Sequence, residues 1–211
     1  MSLSAIIIAY NYSNPFKQDS GTLELNNKAL IAHVVDAVNP LVDETLIVTD
    51  SQKHADDYAK LVDAKPTFVV EPQIAKNPLI ATLAGFKNAH GALSLLVPYD
   101  APFLSKAVLT LLFELCSGKS AVVPRNPDAQ AEPLHAVYAT QQALYAADRT
   151  IAAGKNDVLD LLETLQNIRY LSSLVIKQLD PDLKTFFRVK MPVDLKRATI
   201  LSKKPKTQRR A

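Results

Sequence analysis

Cys116 is the only cysteine in 211 residues, so no internal disulfide framework holds this chain together. A count that low fits a reducing compartment, and the expected location is the cytoplasm. Runs of about 18 or more apolar residues are missing as well, so no membrane span is expected. Met1 to Ile6 lacks the basic start of a secretory signal and leads straight into an apolar run. Acid is absent from Ser202 to Ala211, where Lys203, Lys204, Lys206, Arg209 and Arg210 fall together. Taking those five from the 24 basic residues leaves 19 against 21 acidic ones, a slightly negative body. Nucleic-acid readers carry a basic stripe on the folded surface, so no nucleic-acid partner is expected. Residues 1–201 read as one domain and 202–211 as a basic tail expected to be disordered. Glycine is scarce, five in all, and Gly21 is the only one in the polar stretch Asn11 to Gly21.

What is present is an alternation of apolar runs and helical periodicity. Hydrophobic residues make up 48% and charged residues 21%, the balance of a globular domain with a real core. Ala5-Ile6-Ile7-Ile8-Ala9, Thr45 to Thr49, Thr67 to Val70, Leu93 to Val97 and Ser120 to Pro124 read as buried strands. Leu30 to Val38, His54 to Val62, Asn77 to Phe86 and Lys106 to Cys116 alternate with them as helices. Further helices are expected over Gln141 to Ala152, Val158 to Leu165 and Pro192 to Ile200, and strands after Glu132 and over Phe186 to Val189. Strand and helix alternate as far as about position 124, which specifies an α/β fold with a mostly parallel sheet. Cys116 falls on an apolar helix face and reads as a small buried hydrophobe. No repeat and no dividing linker appears.

The turn Val97-Pro98-Tyr99-Asp100-Ala101-Pro102-Phe103-Leu104 stands out. Asp100 falls just past the carboxyl end of an expected central strand, the edge at which open α/β sheets bind ligands. A carboxylate there suits a hard cation such as Mg2+, which takes oxygen ligands and shares them with substrate phosphates. It equally suits the N-cap of the helix that follows. Spacing leaves both roles open. His33 and His135 have no matching acid or nucleophile and suggest no catalytic role.

Together these stretches resemble the molybdenum cofactor guanylyltransferases, a family of nucleotidyltransferases, from Ala5 to Leu195. The turn around Asp100 is similar to the family's Pro-Cys-Asp-Met-Pro-Phe, whose Asp holds magnesium. Asn77-Pro78-Leu79-Ile80-Ala81-Thr82-Leu83-Ala84-Gly85 resembles its Gly-Pro-Leu segment, which helps hold the nucleotide, and a preceding acidic residue aligns with Glu71. Glu132 to Tyr138 resembles its Pro-Leu-Phe-Ala-x-Tyr strand. Phe187 to Leu195 stands where the family has Phe-x-Asn-Ile-Asn-Thr-Pro-x-Asp-Leu. The paired Asn residues that face the pterin there are Arg188 and Lys190 here. The resemblance implies a three-layer, Rossmann-like nucleotidyltransferase fold of the glycosyltransferase-A type. It also implies Mg2+ on Asp100, a nucleoside triphosphate, GTP first and CTP second, and a molybdopterin-like acceptor reached by Arg188 and Lys190.

The first loop departs most. Laid on the family's Leu-Ala-Gly-Gly-x-Ser-x-Arg-Met-Gly-x-Asp-Lys, this chain keeps only Ala9, Ser13 and Asp19. Tyr10 and Asn11 replace the glycines, Pro15 the arginine and Ser20 the lysine. Phosphate cradles use glycine so that backbone N–H groups can approach the oxygens. Lys17 is the only base left in the loop and is the candidate for the missing lysine, against the alternative of an ordinary solvated charge. Ser13 and Asp19 fit turn roles equally well. Two functions are open: an active nucleotidyltransferase, GTP- or CTP-using or acting on a sugar phosphate, or a divergent relative that kept the fold without the catalysis.

Overall fold

Three six-residue runs form the middle of a seven-stranded sheet: β1 (Leu3–Ile8), β4 (Glu44–Thr49) and β6 (Leu93–Pro98). The structure is a computed structural model and describes residues 1–10, 19–73 and 77–203. A two-stranded hairpin, β2 (Glu24–Leu25) and β3 (Lys28–Ala29), precedes helix α1 (Leu30–Val38). After β4 come α2 (Gln52–Ala59), β5 (Thr67–Val70) and α3 (Pro78–Asn88), and after β6 α4 (Lys106–Leu115). The second half supplies β7 (Ala121–Arg125), β8 (Ala136–Ala139), α5 (Thr140–Ala152) and α6 (Val158–Thr164). β9 (Ile168–Ser172), α7 (Ser173–Ile176) and α8 (Pro192–Ser202) end it.

The sheet order is β5-β4-β1-β6-β8-β7-β9, with β8 antiparallel to both its neighbours and every other pair parallel. From β1 the chain first builds outward through β4 and β5, then returns to lay β6 on the other side. Such a reversal opens a crevice at the carboxyl ends of the two strands, here Ile8 and Pro98.

Alternation along the strands divides the core in two. Ala5, Ile7, Ile47, Leu95 and Val97 pack under Val34, Val35, Val108 and Leu112 of α1 and α4. Ile6, Ile8, Leu46, Val48 and Leu96 face the other way, onto Leu79, Phe86, Ala143 and Leu161 of α3, α5 and α6. The three expected layers are therefore present. A smaller cluster joins Leu23, Leu25 and Leu30 to Val189 and Ala198, with Phe103 and Phe187 against it.

α3 lies unusually close to the sheet at Gly85. A Cβ there would come within 2.4 Å of Ile6 Cγ2, on a β-branched side chain with no exposed surface. Alanine in a helix interior gains at most about 1 kcal/mol over glycine. The clash outweighs that gain, and Gly85→Ala is expected to destabilise the protein by about 1–3 kcal/mol, measured by urea unfolding.

One expected strand does not form. Phe186 to Val189 is not a strand: Lys184–Phe186 is a 3-10 turn, entered through Leu183 in the left-handed region at φ 52°. Among the described residues the chain beyond this turn pairs with no strand, and a backbone bond from the Val189 N–H to the Asp100 carbonyl at 2.9 Å ties it down. Conversely β9 forms on the sheet edge from a mixed run in which only Leu171 is buried, so no apolar pattern announces it. The final helix runs through Ser202, and Lys204 to Ala211 lie outside the described residues. No helix among the described residues is long and apolar enough to cross a membrane.

Candidate active site

The turn between β6 and α4 carries Asp100 at the crevice. Ser105, not Asp100, caps α4: its hydroxyl accepts from the Val108 N–H at 3.5 Å. Asp100 stands five residues earlier and is only 2% exposed, so the capping role offered by the sequence does not apply. A buried carboxylate needs partners, and Arg188 supplies two. Its Nε donates to Oδ1 at 2.6 Å and its Nη2 to Oδ2 at 3.0 Å, a bidentate, charge-assisted pair. Val189 is fully buried in the small cluster, and its N–H bond to the Asp100 carbonyl fixes the segment beside the turn. Its neighbours Arg188 and Lys190 both face the crevice, as residues two apart on extended chain do.

A cavity of about 230 Å³ opens there, lined by Ile8, Tyr10, Pro78, Pro98, Asp100 and the two bases among others. A larger one of about 550 Å³ adjoins it through the shared residues Pro78, Leu134, Val158, Arg188 and Lys190. Arg188 thus stands in the wall common to both. The larger cavity also takes in Glu132, His135 and Asp157. Burial raises the Glu132 carboxyl above its ordinary value, against the nearby charges of Lys190 and Arg188.

His135 is 1% exposed, and neither ring nitrogen makes a hydrogen bond among the described residues. Its ring stands edge-on to Phe186 at 5.3 Å. Burial first, then the charges of Arg188 and Lys190, push it down to about 3. The unfolded chain takes up this proton below about 6.5 while the folded one refuses it, so stability is lost as pH falls from about 6.5 towards 3. His135→Phe is expected to remove about 2 kcal/mol of the stability difference between pH 7 and pH 5, measured by urea unfolding at each pH.

On the far side of Tyr10 a third cavity, about 200 Å³, is lined by Ala9, Asp19, Ser20, Asp50, His54, Tyr58 and Tyr99. His54 Nδ1 lies 2.6 Å from Asp50 Oδ1. Burial, with the charge of Asp19 added, drives the Tyr58 and Tyr99 hydroxyls well above the phenol range, so both remain neutral donors.

A family model, the MobA-like NTP transferase domain, matches residues 5–168, most of the chain and the sheet as far as the start of β9. The chain belongs to this family. A probable molybdenum cofactor guanylyltransferase of Methanosarcina mazei is 26% identical over 181 residues, 84% of this chain and 80% of the relative. A molybdenum cofactor guanylyltransferase of Burkholderia lata is 32% identical over 149 residues, 66% of this chain and 71% of the relative. Among solved structures, molybdopterin-guanine dinucleotide biosynthesis protein A of Archaeoglobus fulgidus superposes with a TM-score of 0.78 at 24% identity, covering 94% of this chain and 97% of that one. The 4-diphosphocytidyl-2C-methyl-D-erythritol synthase of Anaerococcus prevotii does so with 0.71 at 13% identity, covering 95% and 97%. Both share the fold.

The other residues that the family resemblance singles out fall in different settings. Tyr10 lines the cavities on either side of β1's end, Ala9 lines only the one beside Tyr58, and the Ala9 N–H donates to the Val48 carbonyl at 2.8 Å. Asn11, Ser13 and Lys17 lie outside the described residues. Asp19 caps a 3-10 turn over Ser20–Thr22 through a 3.1 Å bond from the Gly21 N–H. Its Oδ2 is buried with no hydrogen bond among the described residues. Gly21 serves packing: a Cβ would meet the Tyr58 and Tyr99 rings at 2.8 Å. Asn77 caps α3, accepting from the Leu79 N–H at 2.9 Å, and Pro78 at the first helical position lines two cavities. Leu79 is fully buried in the core and its N–H is taken, so it offers a ligand nothing directly. Glu71 accepts from the Gln73 N–H and lines none of these three cavities.

Mg2+ does not fit Asp100 in this arrangement. Both carboxylate oxygens are engaged, and no group of three or more His, Cys, Asp or Glu that could hold a metal exists among the described residues. A dication on the same carboxylate would stand roughly 4 Å from the guanidinium, a repulsion of about 8 kcal/mol at an effective dielectric of about 20.

Proposed function

We propose that the protein transfers GMP from GTP to a molybdopterin-type acceptor in molybdenum cofactor biosynthesis. The observation that carries this is the position of Arg188 and Lys190, in the wall shared by two adjoining cavities at the sheet's reversal point. Family membership and the names of the relatives support the choice of reaction and of substrates. In this reading the nucleotide's phosphates enter the smaller cavity beside Asp100, and the acceptor takes the larger one. An oxygen of the acceptor's phosphate attacks the α-phosphorus in line. A P–O bond forms there, the bond to the bridging oxygen breaks, and pyrophosphate leaves with its electron pair. Proteins contribute to such transfers chiefly by positioning and by charge. Arg188 and Lys190 hold the phosphate oxygens, and Lys17 is assigned the charge that the family's loop lysine brings. Because Mg2+ does not fit Asp100 as it stands, no step here runs through a metal. The nucleotide substrate and the single cysteine suit action in the cytoplasm.

The non-catalytic alternative has one observation in its favour: the loop's remaining glycine is committed to packing on Tyr58 and Tyr99. Label transfer decides. With α-labelled GTP and a molybdopterin acceptor, the label is expected in the acceptor product, and α-labelled CTP is expected to give less. Absence of labelled product from GTP, CTP, ATP and UTP alike would reject the enzyme.

A further inference from the structure

Asp100 is the one carboxylate among the described residues that lines the cavity of about 230 Å³, and a carboxylate at this edge is where a divalent cation belongs when phosphates are to be neutralised. Here that position is filled from within the chain. We infer that Arg188 occupies the divalent-cation position on Asp100, so that this protein holds nucleotide phosphates without a metal ion; the inference rests on the nucleotidyltransferase reading above.

Three features support it. The pair is built rather than incidental: it is bidentate, its acid is 2% exposed, and the backbone bond from Val189 N–H to the Asp100 carbonyl clamps the two segments together. Donors are also left over. A guanidinium carries five N–H groups, and the pair uses two, so three make no hydrogen bond among the described residues. Arg188 remains 23% exposed and borders both cavities, so those donors have a route to a ligand. Arginine's planar fork suits phosphate oxygens as well as it suits carboxylate.

The third feature is charge. A carboxylate with a dication carries a net charge of +1. Asp100 with Arg188 alone carries none, and would not replace it. Lys190 lines the same cavity, and its ammonium makes no ion pair among the described residues. Asp100, Arg188 and Lys190 together restore +1, with two monovalent cations doing what one divalent ion does elsewhere. Both bases fall in the segment where the family's pattern has asparagines, so the exchange lies in this chain's own residues.

Equilibrium binding of GTP to the full chain, in EDTA and in Mg2+, tests the inference on wild type, Arg188→Gln and the pair Asp100→Asn/Arg188→Gln. Wild type is expected to bind in EDTA within about threefold of its affinity in Mg2+. Arg188→Gln is expected to bind at least tenfold more weakly in EDTA and to regain affinity in Mg2+, because Asp100 is released to a metal. The double variant removes both charges and so guards against misfolding from an unpaired acid. It should bind weakly and ignore Mg2+. Wild-type binding that appears only with Mg2+ would overturn the inference and leave the nucleotidyltransferase reading standing. No binding of GTP, CTP, ATP or UTP in either condition would overturn both. Unchanged metal-free affinity in Arg188→Gln or in the double variant would show that Arg188 does not hold the phosphates.

Discussion

Arg188→Ala is expected to lower folding stability by about 3–5 kcal/mol at neutral pH, the usual cost of leaving one member of a buried ion pair alone. Asp100 is 2% exposed and its carboxylate has no other hydrogen-bond donor among the described residues, so its charge would stand uncompensated. Urea unfolding of wild type and variant at neutral pH measures it. A deficit under about 1 kcal/mol would show that the pair carries little of the fold. Adding Asp100→Asn to the variant should recover most of the loss, since removing both partners of a buried pair costs far less than removing one.

Lys17→Ala is the second large effect, on rate rather than stability. The loop has lost both bases of the family's pattern, and Lys17 is its only remaining cation. Removing one charge that meets the transition state costs on the order of 100-fold or more in turnover. Pyrophosphate release by Lys17→Ala is therefore expected to fall at least ~100-fold with an unchanged melting temperature. Release that survives the substitution intact would assign Lys17 to solvent and leave the transfer to Arg188 and Lys190.

The fold was largely legible because its signals are local. Leu30 to Val38 buries six residues along one helical face and forms over those residues, and the central strands follow their apolar runs. Asp100 could be placed at the strand's end from the same runs. Its partner could not: Arg188 is 88 residues away, and no periodicity links two opposite charges that the sheet's topology brings together. The apolar pattern places the start of α4 correctly at Lys106, and Ser105 just before it is the cap, which leaves Asp100 five residues too early for that role. Phe186 to Val189 carries a strand's composition but meets no free strand edge, while β9 meets one with a single buried residue. Composition without a partner strand decides neither. Three further site residues, Asp50, His54 and His135, carry partial signals. Asp50 and His54 are spaced four apart across the start of α2, which brings them within hydrogen-bond reach. His135 sits beside Pro133 and Leu134 in the family-like segment, but its burial and its cavity depend on contacts with Phe186 and Arg188 from the distant late segment.

The most direct test is an experimental structure with a slowly hydrolysed GTP analogue bound. The triphosphate is expected at the crevice between the ends of β1 and β6, with α-phosphate oxygens within hydrogen-bond range of the Arg188 guanidinium while it still holds Asp100. A nucleotide seated away from that crevice, or a metal on Asp100 with Arg188 displaced, would refute the role given to Arg188.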